Sequence, residues 1–345
     1  PVSNNFFKEY KNFYQDFVFH ISNDKKSRAI FEQEKTDDVE KDIRNFVKRL
    51  LGRLVFLYFL QKKHWLGASN KKYVDGDTNF LYNLFKYNEQ SEEHFYSKWL
   101  SNLFFNALNS PNRENDYFLL PSGKKVCIPF LNGGLFEEGQ EPINHREISI
   151  SSYLFEELFI FFNSYNFTIY ENSPEDHTVA VDPEMLGHIF ENLLEDNKDK
   201  GAFYTPKEIV HYMTQESLIE YLKTNLSHSR EAIENLIKKH ITTDFNKEEI
   251  KKVEKLIDTV KICDPAIGSG AFPMGLLQEI SGLKAVFHFA LDKKPEDWKP
   301  AAVKQAIIQN SIYGVDLEND AVDIARLRFW LSLVVDEPTP KPLPN

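Results

Sequence analysis

The sequence predicts a mainly α-helical amino-terminal domain followed by an incomplete α/β domain that contains the start of an open parallel sheet. Two observations lead to this prediction. In the first half of the chain, apolar residues recur at three- and four-residue steps, which is the period of amphipathic helices. The second half closes with two successive strand–helix units, which is the pattern of a parallel sheet. We therefore place the helical domain at residues 1–170 and the α/β domain at residues 171–345.

The first half of the chain is predicted to be mostly helical. The clearest helix runs from Val39 to Leu66, where Ile43, Phe46 and Leu50 belong to one apolar stripe and Lys and Arg lie between its members. Further helices are predicted at Asn79–Tyr87, Glu92–Ala107 and Ser151–Asn163. Turn-forming residues separate these segments.

The second half is predicted to combine helices with two short strands. Helices are expected at Pro183–Leu194, Pro206–Leu222, Lys247–Leu256, Ala271–Ile280, Pro300–Gln309 and Asp320–Leu333. The strands are expected at Val260–Cys263 and Ser311–Val315. A carboxylate follows each strand directly, Asp264 after the first and Asp316 after the second.

Composition and charge narrow the class of protein. The chain has 345 residues with a charged fraction of 27%, which is ordinary for a soluble globular protein. Its 41 basic and 52 acidic residues give a net charge of −11, which argues against a broad electropositive face for nucleic acid. The apolar run from Leu50 to Leu60 is too short to span a bilayer. Because Cys127 and Cys263 lie far apart and have no partners at metal-ligand spacing, we expect a cytoplasmic protein without a metal site.

The strongest functional signal is Asp264-Pro265-Ala266-Ile267-Gly268-Ser269-Gly270-Ala271-Phe272, which lies where a strand gives way to a helix. Glycines at such a point let the backbone turn tightly and approach a ligand, and the following helix presents N–H groups to carboxylate or phosphate oxygens. This pattern indicates a nucleotide-like cofactor. The spacing is not the dinucleotide Gly-x-Gly-x-x-Gly fingerprint, since only one Gly-x-Gly occurs. A tight turn without a ligand is the alternative interpretation.

Two further positions complete a candidate cofactor site. Asp316 follows the second strand, where its carboxylate could accept hydrogen bonds from both hydroxyls of a ribose. Thr205 stands at a helix start within Gly201–Pro206, where its hydroxyl and free backbone donors could meet a carboxylate. Both residue types are also good N-caps, so a purely structural role stays open for each.

These segments occur in the order found in amino-methyltransferases that act on DNA adenine, and the chain resembles their Eco57I-like group, which includes type IIG restriction-modification fusions. Phe203–Pro206, Asp264–Phe272 and Gly314–Asp316 carry the resemblance. It implies a Rossmann-like, S-adenosylmethionine-dependent methyltransferase domain. For the parent protein it implies methylation of adenine N6 in DNA, within a restriction-modification or phage-defence system. Double-stranded DNA would be contacted through other parts of the parent.

The resemblance also implies roles for individual residues. Asp264 and the glycine turn would hold the methionine moiety of S-adenosylmethionine, and Thr205 would hold its carboxylate. Asp316 would bind the ribose, and Leu317 would contact the adenine face. The implied cofactor-binding residues are Tyr204, Thr205, Pro206, Asp264, Ala266, Gly268, Gly270, Phe272, Asp316 and Leu317.

The family's catalytic motif, Asn/Asp-Pro-Pro-Tyr/Phe, does not occur in this sequence. That motif holds the target amine and stacks on the extruded base. The sequence opens at Pro1 without a methionine and closes with the proline-rich stretch Pro338–Asn345. We therefore expect the amino-terminal part of a methyltransferase domain, truncated before the catalytic motif, with no catalytic residue and no transfer activity of its own.

Other functions stay open at this stage. A nicotinamide or flavin oxidoreductase could use the same strand–helix units and a ribose-binding acid. A non-catalytic helical interaction module could retain only a vestigial pocket. Glu249-Ile250-Lys251 has a spacing found in nuclease sites, but it falls in a predicted amphipathic helix, where a solvated face is the better interpretation.

Overall fold

The computed structural model describes residues 2–87, 95–111, 113–131, 134–167, 180–181, 205–317 and 319–341. Within these ranges the protein is mostly helical and has few strands. The chain divides into two compact units, one formed by Pro1–Met185 with Glu337–Asn345 and the other by Leu186–Asp336. The predicted helix Pro183–Leu194 lies outside the described residues. None of the described helices has both the length and the apolar character needed to cross a bilayer.

The first unit is built mainly from helices. Its described α-helices are α1 (Val2–Asn23), α2 (Lys25–Gln33), α3 (Val39–Lys62), α4 (Phe80–Lys86) and α5 (Ser152–Asn163). Two π-helical segments, Phe95–Leu100 and Asn102–Leu108, lie between α4 and α5. An antiparallel hairpin joins β1 (Tyr117–Leu119) to β2 (Lys125–Cys127), and a short parallel pair joins β3 (Asn166–Phe167) to β4 (Ala180–Val181).

Helix α3 is the centre of the first unit, because every residue from Leu50 to Gln61 is buried. The predicted helix over this segment is confirmed, although it ends at Lys62 rather than Leu66. The chain leaves the helix at His64, whose φ of +60° is left-handed. Helices α1 and α2 were not predicted. The buried face of α1 is aromatic, with Phe6 and Phe17 among its members, and aromatic residues have modest helix propensity.

A buried ion-pair cluster ties α3 to the loop that precedes α5. The Nη1 atom of Arg53 lies 2.7 Å from Oε1 of Glu141, and both side chains are almost completely buried. Arg49 approaches both oxygens of the same carboxylate at 3.0 Å. Burial raises the pKa of Glu141, but the two guanidinium groups outweigh burial and leave the pKa below its ordinary value.

The second unit surrounds a two-stranded parallel sheet with helices. Its described elements, in chain order, are α6 (Lys207–Asn225), α7 (Arg230–Lys239), α8 (Lys247–Thr259), β5 (Ile262–Asp264), α9 (Ala271–Ala290), α10 (Pro300–Ser311), β6 (Ile312–Gly314) and α11 (Asn319–Asp336). The predicted helices and strands of residues 206–333 are confirmed, but α9 extends to Ala290 instead of Ile280 and α7 was not predicted.

Strands β5 and β6 pair in parallel, with Cys263 opposite Tyr313 at the middle of the register. The sheet is poorly covered at its carboxyl end, where Val315 is 60% exposed. Parallel sheets are normally buried on both faces by more strands and helices. Apolar surface is therefore exposed around Val315, whereas Ile262 is half-buried.

Helix α8 begins with a capping box, in which the Asn246 side chain accepts from the backbone N–H of Glu248 and Glu249. The carboxylate of Glu249 accepts a hydrogen bond from the Asn246 backbone N–H at 2.9 Å. Glu249 therefore has a structural role at a helix start, as the amphipathic pattern of this segment indicated.

Candidate functional site

The glycine turn after β5 is hydrogen-bonded to the chain that leaves β6. The carbonyl of Asp264 accepts from the N–H of Val315 at 3.0 Å, and the N–H of Ile267 donates to the Val315 carbonyl at 2.9 Å. The backbone N–H of Gly268 donates to Oδ2 of Asp316 at 2.9 Å. The parallel strands therefore bring Asp264, Gly268 and Asp316 together at one sheet edge.

Glycine is favoured at positions 268 and 270 of the turn for different structural reasons. Both have left-handed backbones, with φ of +53° at Gly268 and +82° at Gly270. A Cβ on Gly270 would lie 3.0 Å from the Cβ of Ala325 in α11, so Gly270 permits close packing of the turn on that helix. Among the residues that the structure describes, a Cβ on Gly268 would have no neighbour within 4 Å. Gly268 thus leaves open space beside the backbone, where a ligand can approach.

Only one of the two carboxylate oxygens of Asp264 has a hydrogen-bond partner among the described residues. Its Oδ1 accepts from the backbone N–H of Ala266 at 3.0 Å. Its Oδ2 is buried and has no hydrogen-bond partner in the described part of the chain. A buried acceptor without a partner costs about 1–3 kcal/mol, so such an atom points to a donor from elsewhere. The N–H groups at the start of α9 lie in the same turn, and helix starts attract anionic groups.

Helices α6 and α9 pack against each other. A Cβ on Gly275 would lie 2.5 Å from Cγ1 of Val210, so the helices touch closely there. In addition, Nδ1 of His211 lies 2.7 Å from Oε1 of Glu279. Both contacts lie in the amino-terminal halves of α6 and α9.

The remaining predicted residues belong to the second unit. Thr205 is half-buried and Pro206 is exposed, and Pro206 is the N-cap of α6 without a side-chain capping bond. Phe272 is half-buried in the first turn of α9. Leu317 is 100% exposed. Tyr204 lies outside the described residues.

Arg328 is a residue of this site that was not predicted from the sequence. It is only 7% exposed, and its Nη1 donates to the carbonyl of Ser269 at 3.0 Å and to Oγ of Ser269 at 3.2 Å. Its Nε is buried without a partner in the described chain. An arginine inside the apolar stretch of α11 was the available signal, because buried guanidinium groups need specific acceptors.

Gly314 was likewise not predicted as a contact of the turn. A Cβ at this position would lie 2.1 Å from Cδ1 of Ile267, so only glycine allows the turn to rest on β6. Beside the turn, a groove of about 390 Å³ runs along β5 between α6 and α9. Asp264 and Phe272 contribute to its wall. In the part of the chain that the structure describes, no three His, Cys, Asp or Glu side chains converge on a point that could hold a metal ion.

No protein-family model matches this chain. A Methanocaldococcus jannaschii protein, described as a candidate type II restriction enzyme and methyltransferase, is 27% identical over 365 residues, covering 96% of this chain and 30% of that protein. The type IIL restriction-modification enzyme MmeI, solved in complex with DNA, aligns with a TM-score of 0.57 and 15% identity, covering 95% of this chain and 36% of that chain. This chain therefore spans about a third of the length of either protein, and the likeness to MmeI concerns the fold alone.

Proposed function

We propose that this chain forms part of the S-adenosylmethionine site of a restriction-modification methyltransferase, and that the parent protein methylates adenine N6 in DNA. One observation carries the proposal. At the carboxyl ends of two parallel strands, Oδ2 of Asp264 is buried without a partner among the described residues, and it lies in the same turn as the open backbone at Gly268. Ligands of open parallel sheets bind in this position.

The residues of the turn fit the methionine end of the cofactor. S-adenosylmethionine supplies a methyl group on a positively charged sulfur, which a nucleophilic amine can accept. A carboxylate acceptor such as Asp264 suits the ammonium group of the methionine moiety. The donors at the start of α9 suit its carboxylate, and Thr205, which directly precedes the N-cap of α6, is proposed to add its hydroxyl. Ala266, Gly270 and Phe272 belong to the same turn or to the first turn of α9.

Asp316 and Leu317 are proposed for the nucleoside end. The hydrogen bond from Gly268 uses one of the roughly four acceptor positions of the Asp316 carboxylate. That bond fixes the carboxylate beside the turn, which suits a ribose bound across the strand ends. The fully exposed Leu317 supplies an apolar surface for the adenine ring. Tyr204 and Pro206 would complete the set at the start of α6.

The restriction-modification context is proposed from the relatives. A match over 96% of this chain to a protein described as both restriction enzyme and methyltransferase supports a methyltransferase role. The fold shared with MmeI, which was solved with DNA, supports double-stranded DNA as the partner of the parent. Specificity for adenine and membership of the Eco57I-like group rest on the sequence motifs, and a cytoplasmic location rests on the two widely separated cysteines. All three belong to the same proposal.

A thermal-shift comparison tests the cofactor class. The 345-residue chain is melted alone and with millimolar S-adenosylmethionine, S-adenosylhomocysteine, NAD or FAD. The proposal expects a rise in melting temperature with the first two ligands only, because a ligand that binds the folded state stabilises it. A shift with NAD or FAD would favour an oxidoreductase instead. No shift with any ligand would favour a non-catalytic interaction module.

A further inference from the structure

The first unit contains a second groove, which the cofactor site does not explain. It has a volume of about 340 Å³ and lies between the two π-helical segments and the β1–β2 hairpin. π-Helical turns are rare in proteins, and those that occur are often found at functional sites. The lining side chains that carry polar or aromatic groups include Lys98, Trp99, Asn102, Asn106, Arg113 and Tyr117.

The groove is cationic although the chain as a whole is acidic. Lys98 and Arg113 line it, and the lining residues in the described chain include no carboxylate. Lys125 adds a third cation at the rim, since its Nζ lies 5.6 Å from the ring centre of Tyr117. The nearby carboxylate of Asp116 does not line the groove; it accepts from the Tyr73 hydroxyl at 2.9 Å, and its charge also acts on Arg113.

Arg113 is held rigidly at the wall of the groove. It donates to the carbonyl of Tyr117 at 3.0 Å and to the carbonyl of Ile128 at 2.6 Å. Its Nε is buried without a partner among the described residues, and burial lowers the pKa of the guanidinium. A fixed, partly desolvated cation whose hydrogen bonds go to carbonyls is suited to an anionic ligand.

Aromatic and amide groups lie beside these cations. The Nζ of Lys98 is 5.4 Å from the ring centre of Trp99, and Tyr117 is 42% exposed. The amide of Asn106 donates to Oδ1 of Asn102 at 2.6 Å, so the two amides are oriented along one face of the π-helical segment. Cations interleaved with aromatic rings are the composition of surfaces that bind a nucleic-acid strand.

We infer that this groove binds a nucleotide unit within a DNA strand, with a phosphate next to Lys98 and Arg113 and the sugar or base against Trp99 and Tyr117. The inference rests on the proposed function only in taking DNA as the polymer that the parent protein meets. It adds a contact of the chain itself to those expected elsewhere in the parent. A local groove of this kind is compatible with the net charge of −11, which excludes only a broad electropositive face.

Binding of a fluorescein-labelled DNA duplex, followed by anisotropy at several salt concentrations, tests the inference. The full 345-residue chain is compared with the double variant Lys98→Gln/Lys125→Gln. The matched control is Lys11→Gln/Lys41→Gln, which removes the same charge from exposed lysines of α1 and α3. We expect the groove variant to weaken binding about tenfold and to lower the salt slope by about 2, while the control stays near wild type. Equal weakening in both variants, or no DNA binding by the wild type at low salt, overturns the inference.

Three further measurements identify the ligand and separate this inference from the proposed function. A duplex with 5-iododeoxyuridine should cross-link to Trp99 or Tyr117 on irradiation, and a cross-link confined to other peptides contradicts the groove. A mononucleotide that competes as well as DNA, at equal nucleotide concentration, contradicts a polymer ligand. Lys98→Gln/Lys125→Gln should keep the thermal shift with S-adenosylmethionine. If S-adenosylmethionine does not raise the melting temperature of the wild type, the proposed function is overturned, but the result for the groove is unaffected.

Discussion

The carboxylate of Asp316 accepts a hydrogen bond from the backbone N–H of Gly268 at 2.9 Å, and this bond joins the end of β6 to the turn after β5. The sequence suggested Asp316 either as a ribose acceptor or as a helix cap. In the structure its carboxylate also holds the glycine turn in place. A substitution at Asp316 therefore affects the shape of the turn as well as any ligand contact.

Replacement of Asp316 by alanine should destabilise the second unit. The lost bond from Gly268 is made to a charged acceptor, so the expected cost is about 1–2 kcal/mol in unfolding free energy. Urea unfolding at neutral pH measures the change. Glu296→Ala is the control, because Glu296 is an exposed carboxylate of the same unit. If both variants unfold at the wild-type urea concentration, the Asp316–Gly268 bond has no structural importance.

Alanine at the two glycines of the turn should rank in one order by loss of stability and in the reverse order by loss of cofactor binding. Gly268→Ala should cost about 1 kcal/mol, since only its left-handed backbone opposes the side chain. Gly270→Ala should cost about 2 kcal/mol or more, because the new Cβ also meets Ala325. The new methyl at Gly268 fills the open space and should weaken S-adenosylmethionine binding more. Melting temperature and ligand titration of both variants check this, and a reversed order would show that Gly270, not Gly268, faces the ligand.

Replacement of Arg328 by methionine should destabilise the glycine turn. The change removes the hydrogen bonds that the Arg328 guanidinium donates to the carbonyl and the hydroxyl of Ser269, and hydrogen bonds from a charged group contribute about 1.5–3 kcal/mol. We also expect weaker S-adenosylmethionine binding, because the turn is then less well ordered. Arg326→Met on the same helix is the matched control, since Arg326 is exposed. Hydrogen exchange of the turn amides is the most local measurement, and unchanged exchange in Arg328→Met would contradict this account.

Much of the candidate site was predictable because it depends on local patterns. The carboxyl ends of adjacent parallel strands meet at one sheet edge, so Asp264 and Asp316 could be placed together from the sequence. The contact between Arg328 and Ser269 spans 59 residues and depends on how α11 packs, which no local pattern encodes. The close approach of Gly314 to Ile267 also appears only once the strands are paired.

The first unit was less predictable for a different reason. Helix α1 buries an aromatic face, and aromatic residues are common in strands as well as in helices. The segment from Phe95 to Leu108 was predicted as helical, but its π-helical winding depends on packing rather than on a sequence period. The cationic groove follows from that winding together with the β1–β2 hairpin, so its lining residues could not be grouped from the sequence.

The buried Glu141 predicts how the stability of the first unit depends on pH. Its folded pKa is below the ordinary value of 4.5, so its contribution is present above that pH and is lost as pH falls through the folded pKa. Glu141→Gln should cost about 3 kcal/mol at neutral pH, because it leaves the guanidinium of Arg53 buried without a counter-charge. The variant should then lose less stability than the wild type between neutral and acidic pH. Urea unfolding of both proteins across this pH range measures the difference. If the unfolding free energies of the wild type and of Glu141→Gln change equally with pH, Glu141 is not the source of the pH dependence.

Isothermal titration calorimetry of the 345-residue chain with S-adenosylmethionine measures whether the glycine turn belongs to a cofactor site. We predict binding that is measurable but weaker than micromolar, because Val315 and Leu317 are exposed at the open end of the sheet. The same titration should fail with Gly268→Val and with Asp264→Asn, and it should be retained with Glu296→Ala. A complete absence of heat at millimolar ligand, or binding that Gly268→Val leaves unchanged, would contradict a cofactor site at the glycine turn.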